Sequence, residues 1–314
     1  MNAVHSQSRC SAEFVSSVTH ALKPGTVIRE QEPMSRRTTL RVGGPADLYV
    51  EPQSEEDLGI LLKSAREQEV PVFLLGRGSN LLVRDGGIRG VVIALAHANF
   101  ASISVMGEHL QCGAGARLRA IAVEAKRNTL TGLEFMEGIP GNLGGSLRMN
   151  AGAMGSSMFQ VLETVRYMDM EGETHHSAAS EIAVEYRNCP LFKENVVLSA
   201  VLIGKTAPRE MVEQRMNECS QKRWKSQPAA PSAGCIFKNS VTIPSGKLVQ
   251  ELGLKGTRIG GAMISEVHGN FIVNDGNASA SDILALIDLV KEKAHASRAI
   301  ELQTEVQIVG EELS

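Results

Sequence analysis

The sequence predicts a mixed chain of helices and strands in two or three domains, with glycine-rich loops that join strand to strand. Three observations carry this. The chain has 314 residues, enough for more than one core. Short apolar runs of strand length alternate with amphipathic stretches at helical spacing. The third observation is the stretch Gly138 to Gly152, where five of fifteen residues are glycine and only Arg148 is charged. Each glycine costs about 0.5–1 kcal/mol against alanine inside regular structure. Five give up a few kcal/mol of a total stability of about 5–15. A chain keeps them where backbone turns tightly or comes close to a ligand. Bare outward N–H groups make a nest for an anion such as phosphate. A mobile surface loop is the alternative reading, which the apolar flanking Leu133, Phe135, Leu143, Leu147 and Met149 disfavour.

Composition narrows the function. Lysine and arginine number 32 against 35 aspartate and glutamate, a net charge of −3. Bulk electrostatics therefore give no affinity for nucleic acid or membrane. No run of apolar residues reaches the length of a membrane span. The N-terminus carries His5, Arg9, Cys10 and Glu13 among serines and lacks a signal-peptide apolar core. The five cysteines (Cys10, Cys112, Cys189, Cys219 and Cys235) are widely spaced, with no Cys-x-x-Cys pair. Reduced thiols, a cytoplasmic address and no metal site are expected.

In chain order, residues 1–35 read as a short leader helix and an extended arm. Thr39–Val50 reads as a strand broken at Gly43-Gly44-Pro45. Ser54 opens a helix to about Glu69 through a capping-box spacing with Asp57. Strands follow at Pro71–Leu75, Leu81–Val83, Ile88–Leu95, Ser102–Met106 and Leu110–Cys112. Arg117–Arg127 is amphipathic, with Leu118, Ile121, Ala122 and Ala125 on one face. Val161–Met170 and Val196–Ile203 read as strands, the second buried on both faces. Pro208 starts a long helix to about Trp224, with a domain boundary near residue 206. Cys235–Asn239 reads as a short strand, Gly246–Leu252 as a helix and Phe271–Val273 as a strand. Ser279 caps a helix to about Ser297, and Glu305–Val309 closes the chain as a strand.

Three glycine motifs fail their best-known readings. Gly76-Arg77-Gly78-Ser79-Asn80 has Leu81 where a dinucleotide fingerprint needs glycine, and it leads into another strand. Gly113-Ala114-Gly115 fails at Leu118. Gly204-Lys205-Thr206 has Ser199 where a P-loop needs glycine. The glycine loops therefore point to a nucleotide held in a non-Rossmann way.

Three reactive side chains stand in apolar or small surroundings: Arg187 after Tyr186, Cys235 between Gly234 and Ile236, and Glu305 beside Val306. Taken locally, each also fits a plain structural role, and a free cysteine is usually an inert core thiol. Spacing alone does not bring them together. His268 fits a satisfied loop histidine as well as a ligand. Lys238-Asn239 fits a phosphate contact or a surface pair, and Arg223-Trp224-Lys225 fits a helix end complementing its dipole.

Seven ordered segments resemble one family. They are Thr39 to Asp47, Gly76 to Val83, Gly132 to Gly155, Tyr186-Arg187, Ser232 to Asn239, Arg258 to Gly261 and Glu301 to Gly310. Together they resemble the UDP-N-acetylenolpyruvoylglucosamine reductases (UDP-N-acetylmuramate dehydrogenases), in the subtype with the shorter chain. The resemblance implies an α+β fold: two subdomains of the vanillyl-alcohol-oxidase (PCMH) type that together bind FAD, then a C-terminal α+β substrate domain. It implies an N-terminal arm and first FAD subdomain over residues 1–100, a second over 101–206 and the substrate domain over 207–314. Gly76, Arg77, Gly78, Ser79 and Asn80, together with Gly138 to Gly145, would hold the FAD pyrophosphate through backbone N–H groups. Gly138, Ile139, Pro140, Gly141, Gly144, Gly145, Ser146, Asn150 and Gly152 would complete the cofactor site.

By the same resemblance NADPH reduces FAD, and hydride then passes to the enolpyruvyl ether of a UDP-sugar. Arg187 would stabilise the enolate, and Glu305 would be protonated or held in an arginine network. Cys235 stands where the family usually has serine, as proton donor. A thiol of pKa about 8.5 is a stronger acid than an alcohol, so activity is expected to fall above about pH 8, and peroxide to inactivate reversibly. Asn239, with Lys225, Gln227 and His268, would contact the substrate. Met154 replaces a tyrosine common in relatives, so no hydroxyl acts there. A monomer or weak oligomer is expected. Another FAD oxidoreductase of the same flavin fold is the alternative reading, and a redox-dead flavin protein a third.

Overall fold

We describe the protein from a computed structural model, over residues 8–240 and 242–313. Residues 1–7 of the expected leader lie outside the described residues. The first part holds helix α1 (Ala12–Ala21), strands β1 (Val27–Pro33) and β2 (Pro45–Glu51), helix α2 (Glu55–Glu67), and strands β3 (Val72–Leu75), β4 (Leu81–Val83) and β5 (Ile88–Ala94). One sheet runs in the order β1-β2-β5-β3. Only β1 pairs antiparallel, and the rest is parallel. Parallel strands are covered on both faces, which is why β2 and β5 are nearly continuous apolar runs. Phe14, Val18, Leu58, Leu61 and Leu62 of the two helices bury one face. Met34, Tyr49, Leu75 and Val92 bury the other. Ser54 caps α2 as the spacing predicts, its side chain accepting from Asp57 N.

The strand expected from Thr39 begins only at Pro45. Residues 39–44 form a loop, with Arg41 and Gly43 at φ +58° and +120°. A Cβ on Gly44 would lie 2.1 Å from the Asp85 carbonyl oxygen. The glycines let this loop press onto the β4–β5 turn.

The second part holds β6 (Ile103–Met106), β7 (His109–Gly113), α3 (Leu118–Arg127), α4 (Leu143–Arg148), β8 (Leu162–Met168), β9 (Thr174–Ala178) and β10 (Val196–Ile203). Its sheet is antiparallel throughout, in the order β9-β8-β10-β7-β6. One apolar cluster runs from α1 and α2 through to this sheet, so the two sheets share a core. Strand β9 is missing from the sequence reading because its Thr-His-His-Ser-Ala carries no apolar alternation. It needs none at a solvent-facing edge. The glycine stretch contains a short helix, α4, whose N-cap Asn142 accepts from Gly145 N.

The third part holds α5 (Arg209–Ser226), α6 (Ser245–Glu251), β11 (Arg258–Ile259), β12 (Ala262–Ile264), β13 (Ile272–Asn274), α7 (Ala280–Arg298) and β14 (Gln307–Val309). Ile283, Leu286, Ile287 and Val290 of α7 pack on the small β11-β12-β13 sheet. Cys235–Asn239, expected as a strand, is not one. It makes an isolated bridge at Phe237 with Thr304, while Ser232 bridges Val273. The segment is wedged between two neighbours and runs in ladder with neither. The closing strand starts at Gln307, two residues later than expected, and pairs parallel with β4.

A second link joins the first and third parts. Asp85, in the β4–β5 turn, accepts from Ala280 N (2.8 Å), Ser281 N (2.9 Å) and Ser281 Oγ (2.7 Å) at the start of α7. A carboxylate there satisfies orphan helix donors and meets the positive end of the dipole. Asp85→Ala is expected to lower stability by about 1 kcal/mol, read as a fall in the urea midpoint. An unchanged midpoint would show that water replaces the cap without loss.

Candidate active site

Glu305 sits two residues before β14. Its N–H donates to the Ile236 carbonyl (2.7 Å), and Lys238 N donates to the Gln303 carbonyl (2.9 Å). These bonds lay the Cys235 segment beside Glu305. On its other side, Ile236 N donates to the Asn270 carbonyl (2.9 Å). The buried Asn270 amide holds both backbone groups of Phe237, at 2.9 and 2.8 Å. Arg187 comes from the second part, in a tight turn closed by reciprocal Glu185–Asn188 backbone bonds. Its φ of +58° is unfavourable for a residue with a Cβ. Its Nε donates to Glu305 Oε1 (2.8 Å) and its Nη2 to the Gly152 carbonyl (3.2 Å). Arg187, Cys235 and Glu305, three segments apart in sequence, line one cavity of about 250 Å³.

The electrostatics correct one expectation. Burial, and then the negative charge of Glu305, push the Cys235 thiol up to about 11, against the smaller opposing pulls of Arg187 and Asn270. Desolvation disfavours the charged form, and the carboxylate's effect outweighs that of the guanidinium, which is itself engaged by that carboxylate. At pH 8 the thiol therefore stays protonated. Loss of activity above pH 8 through Cys235, and ready oxidation by peroxide, do not follow from this geometry.

The two glycine loops meet back to back. A Cβ on Gly76 would lie 2.9 Å from Asn142 Oδ1 and 3.5 Å from Gly145 Cα. They differ in what they offer. In the first loop the N–H groups of Arg77, Gly78, Ser79 and Asn80 meet no protein acceptor among the described residues. In the second, Ile139, Gly141, Gly144, Gly145 and Ser146 donate to Met136 O, Ile139 O, Ala114 O, Asn142 Oδ1 and Asn142 O. Among the described residues the first loop therefore offers a run of four unclaimed donors, while most of the second loop's are spent on protein acceptors, Asn142 N being an exception. Gly144 is glycine because a Cβ would come 3.2 Å from Ala114 Cβ, a helix-to-sheet contact. The first loop does further work: Asn80 Nδ2 donates to the Glu305 carbonyl (3.1 Å) and Gln307 N to the Asn80 carbonyl (3.0 Å).

Most of the other expected residues fall into two groups. Gly138, Ile139, Pro140, Gly141, Ser146 and Gly152 line the inner cavity, and Gln227 lines it and an adjoining lobe of about 1100 Å³. Asn150, Lys225, Asn239 and His268 line neither lobe. Asn150 Nδ2 donates to the Glu185 carbonyl (3.3 Å) and so steadies the Arg187 turn. Asn239 Oδ1 accepts from Ser245 N at the start of α6 (3.1 Å). The His268 ring packs on Gly246, where a Cβ would be 2.6 Å away, and burial lowers its pKa. Met154, at φ +55°, is exposed. Sequence reasoning missed Asn142, Asn270, Gln307 and most of the arginines of the larger lobe. Their partners are 33 or more positions away in the case of Asn270 and Gln307, which no local pattern encodes.

A cleft with unclaimed N–H donors and glycines where side chains would intrude suits a bound nucleotide, and the comparisons give its class. A family model of FAD-binding domains matches residues 46–178, so this part of the chain is an FAD-binding domain. The model for the C-terminal domain of UDP-N-acetylenolpyruvoylglucosamine reductase matches residues 227–309. The reductase of that name from Heliobacterium modesticaldum is 44% identical over 285 residues, covering 90% of each chain. That from Syntrophus aciditrophicus is 41% identical over 303 residues, covering 95% of this chain and 97% of the relative. The crystal structure of UDP-N-acetylenolpyruvylglucosamine reductase from Thermus caldophilus matches with a TM-score of 0.79 at 39% identity, over 90% of this chain and 99% of that one. The chain belongs to the UDP-N-acetylenolpyruvoylglucosamine reductase family. Its fold class is the one the resemblance implied: an α+β flavin-binding portion followed by a C-terminal α+β domain.

The thiol gives a direct test. Alkylation of Cys235, followed by mass spectrometry, should quicken about tenfold per pH unit from pH 7 to 9.5 without a plateau. Glu305→Gln should lower the thiol pKa and speed alkylation at pH 8. A plateau near pH 8.5 in the wild type, or no change in the variant, would overturn the electrostatic account.

Proposed function

We propose that this chain reduces the enolpyruvyl ether of UDP-N-acetylglucosamine-enolpyruvate to UDP-N-acetylmuramate. FAD is its bound cofactor and NADPH its reductant, and the product serves peptidoglycan synthesis. The observation that carries the proposal is the meeting of Arg187, Cys235 and Glu305 at the wall of one cavity beside the glycine loops. Family membership supplies the substrate and cofactors.

When bound, FAD supplies hydride transfer from NADPH to the methylene carbon of the enol ether. The chain's own residues handle the charge and the proton. The free N–H groups of Arg77 to Asn80 would hold the cofactor's pyrophosphate. Arg187 grips the substrate carboxylate through its planar guanidinium and stabilises the negative charge that builds there. Glu305 fixes Arg187 through Nε and the Gly152 carbonyl accepts from Nη2, which leaves Nη1 and the second Nη2 hydrogen for the substrate. Cys235 gives its proton to the ether-bearing carbon. A thiol held near pKa 11 keeps that proton at neutral pH and still parts with it more readily than an alcohol.

Such an enzyme works in cell wall biogenesis, on which cell shape and division depend. A cytoplasmic address fits five free cysteines. No helix among the described residues is long and apolar enough to cross a membrane. We propose a monomer or weak oligomer, since one chain supplies every residue named.

The test is anaerobic. NADPH should bleach the flavin band, and the enolpyruvyl sugar nucleotide should restore it. Bleaching without restoration would point to another FAD oxidoreductase of this fold. Cys235→Ala should bleach normally but recover about 10²–10⁴-fold more slowly, and Cys235→Ser should regain much of the rate. Recovery of the alanine variant at the wild-type rate would remove Cys235 from the chemistry.

A further inference from the structure

The chain around Cys235 is a bow held at its ends. Ser232 bridges Val273 of β13, and Asn274 N donates to the Pro231 carbonyl (2.9 Å). From there the chain leaves β13. The N–H groups of Ala233, Gly234 and Cys235 make no hydrogen bond among the described residues, and Gly234 turns the backbone at φ +77°. Cys235 stands on the crown of the bow, on the wall of the inner cavity. At the far end the chain is caught again. Ile236 and Phe237 have four backbone N–H and C=O groups between them. Three of these go to Asn270: Ile236 N to its carbonyl (2.9 Å), Phe237 N to its Oδ1 (2.9 Å) and the Phe237 carbonyl to its Nδ2 (2.8 Å). The fourth, the Ile236 carbonyl, goes to Glu305 N. Asn270 is 3% exposed, and its own N–H donates to His268 Nδ1 (3.1 Å). The His268 ring in turn stands edge-on to Phe271. A primary amide carries a donor and an acceptor side by side. Asn270 therefore stands in for a strand neighbour at one residue, and no ladder continues to flatten the bow.

We propose that Asn270, backed by His268, is the positioning residue of the proton donor: it fixes where the bow ends, and so where the Cys235 sulfur stands relative to Arg187 and Glu305. The inference rests on the proposed role of Cys235. The pin at Ile236 is adjacent to Cys235, and the pin at Ser232 is three residues away, so the nearer one governs the thiol. The backbone N–H groups between the pins have no partner to hold the crown by themselves. A reacting group displaced by about 1 Å can lose about 10²-fold in rate. Loss of the Asn270 side chain would also leave both backbone groups of the buried Phe237 unpaired, and the segment would shift to satisfy them.

The test uses the flavin-loaded protein with Asn270→Ala, in the wild-type and the Cys235→Ala backgrounds. The first readout is flavin recovery when the enolpyruvyl sugar nucleotide is added after bleaching by NADPH. Asn270→Ala should slow recovery about tenfold or more, with little change in the sugar-nucleotide concentration that half-saturates it. In the Cys235→Ala background it should add no further slowing. Equal slowing in both backgrounds would make Asn270 a structural residue only and overturn the proposal. The second readout is alkylation of Cys235 at pH 8, which needs no substrate. Burial is the largest brake on this thiol's ionisation, and the Asn270 hydrogen bond is the smallest aid to it. A released bow should therefore react about tenfold faster, with Cys219 as the unchanged internal control. Recovery and alkylation both at wild-type rates would also overturn the proposal. If Asn270→Ala does not fold, His268→Ala, which removes only the acceptor behind Asn270 N, must move both readouts in the same directions; no movement in either overturns it. Faster Cys235 alkylation in the variant, where even the wild-type flavin never recovers with this sugar nucleotide, would sustain the positioning and sink the substrate.

Discussion

The site hangs from a pairing of three residues on three: Gln307–Val309 laid parallel on Leu81–Val83. Parallel pairing puts the residues just before both strands side by side. Those residues are the first glycine loop on one chain segment and Glu305 on the other. Asn80 makes the join on both its backbone and its side chain. The cofactor loop and the acidic residue of the site are therefore one structural unit. Cys235 joins it because Ile236 accepts from Glu305, and Arg187 joins it through the carboxylate. A shift of one residue in this register would turn every side chain to the opposite face and dismantle all three contacts.

This arrangement also explains how one carboxylate serves two neighbours. Glu305 is 15% exposed and Arg187 22%, so their attraction is only partly screened by water. The pair is fixed in geometry by single atoms, Nε on Oε1, and apart from the Nη2 bond to the Gly152 carbonyl the guanidinium's remaining N–H groups make no hydrogen bond among the described residues. The same negative charge faces Cys235 and opposes its ionisation. A serine at that position would keep its proton whatever its surroundings. A cysteine's proton is held more tightly here than in a free thiol, because burial and then this carboxylate disfavour the thiolate.

The amino-acid sequence announces those features that depend on neighbours along the chain. Ser54 and Ser279 begin their helices because each side chain reaches an N–H three residues on. The failure of the glycine loops to match a dinucleotide fingerprint follows from Leu81, which starts a strand. Features made by distant partners are silent. Cys235–Asn239 is apolar enough for a strand, yet its hydrogen bonds go in two directions and no ladder forms. Asn80 looks like a cofactor contact and is found tying Glu305 in place, 225 positions away. Arg117 reads as an ordinary helix start until the fold turns it toward Arg77. Family resemblance brought Arg187, Cys235 and Glu305 forward, where composition and spacing left them scattered.

The separation of Leu81–Val83 from its partner strand has a consequence for biogenesis. A ribosome delivers the first segment long before the second exists, so this apolar triplet leaves the exit tunnel with an unsatisfied edge. Closing so wide a loop costs entropy that grows only slowly with its length, but the search is late and non-local. Until then the nascent chain shows a short sticky strand of the kind that chaperones cover. The reactive centre is thus among the last parts of the molecule to exist.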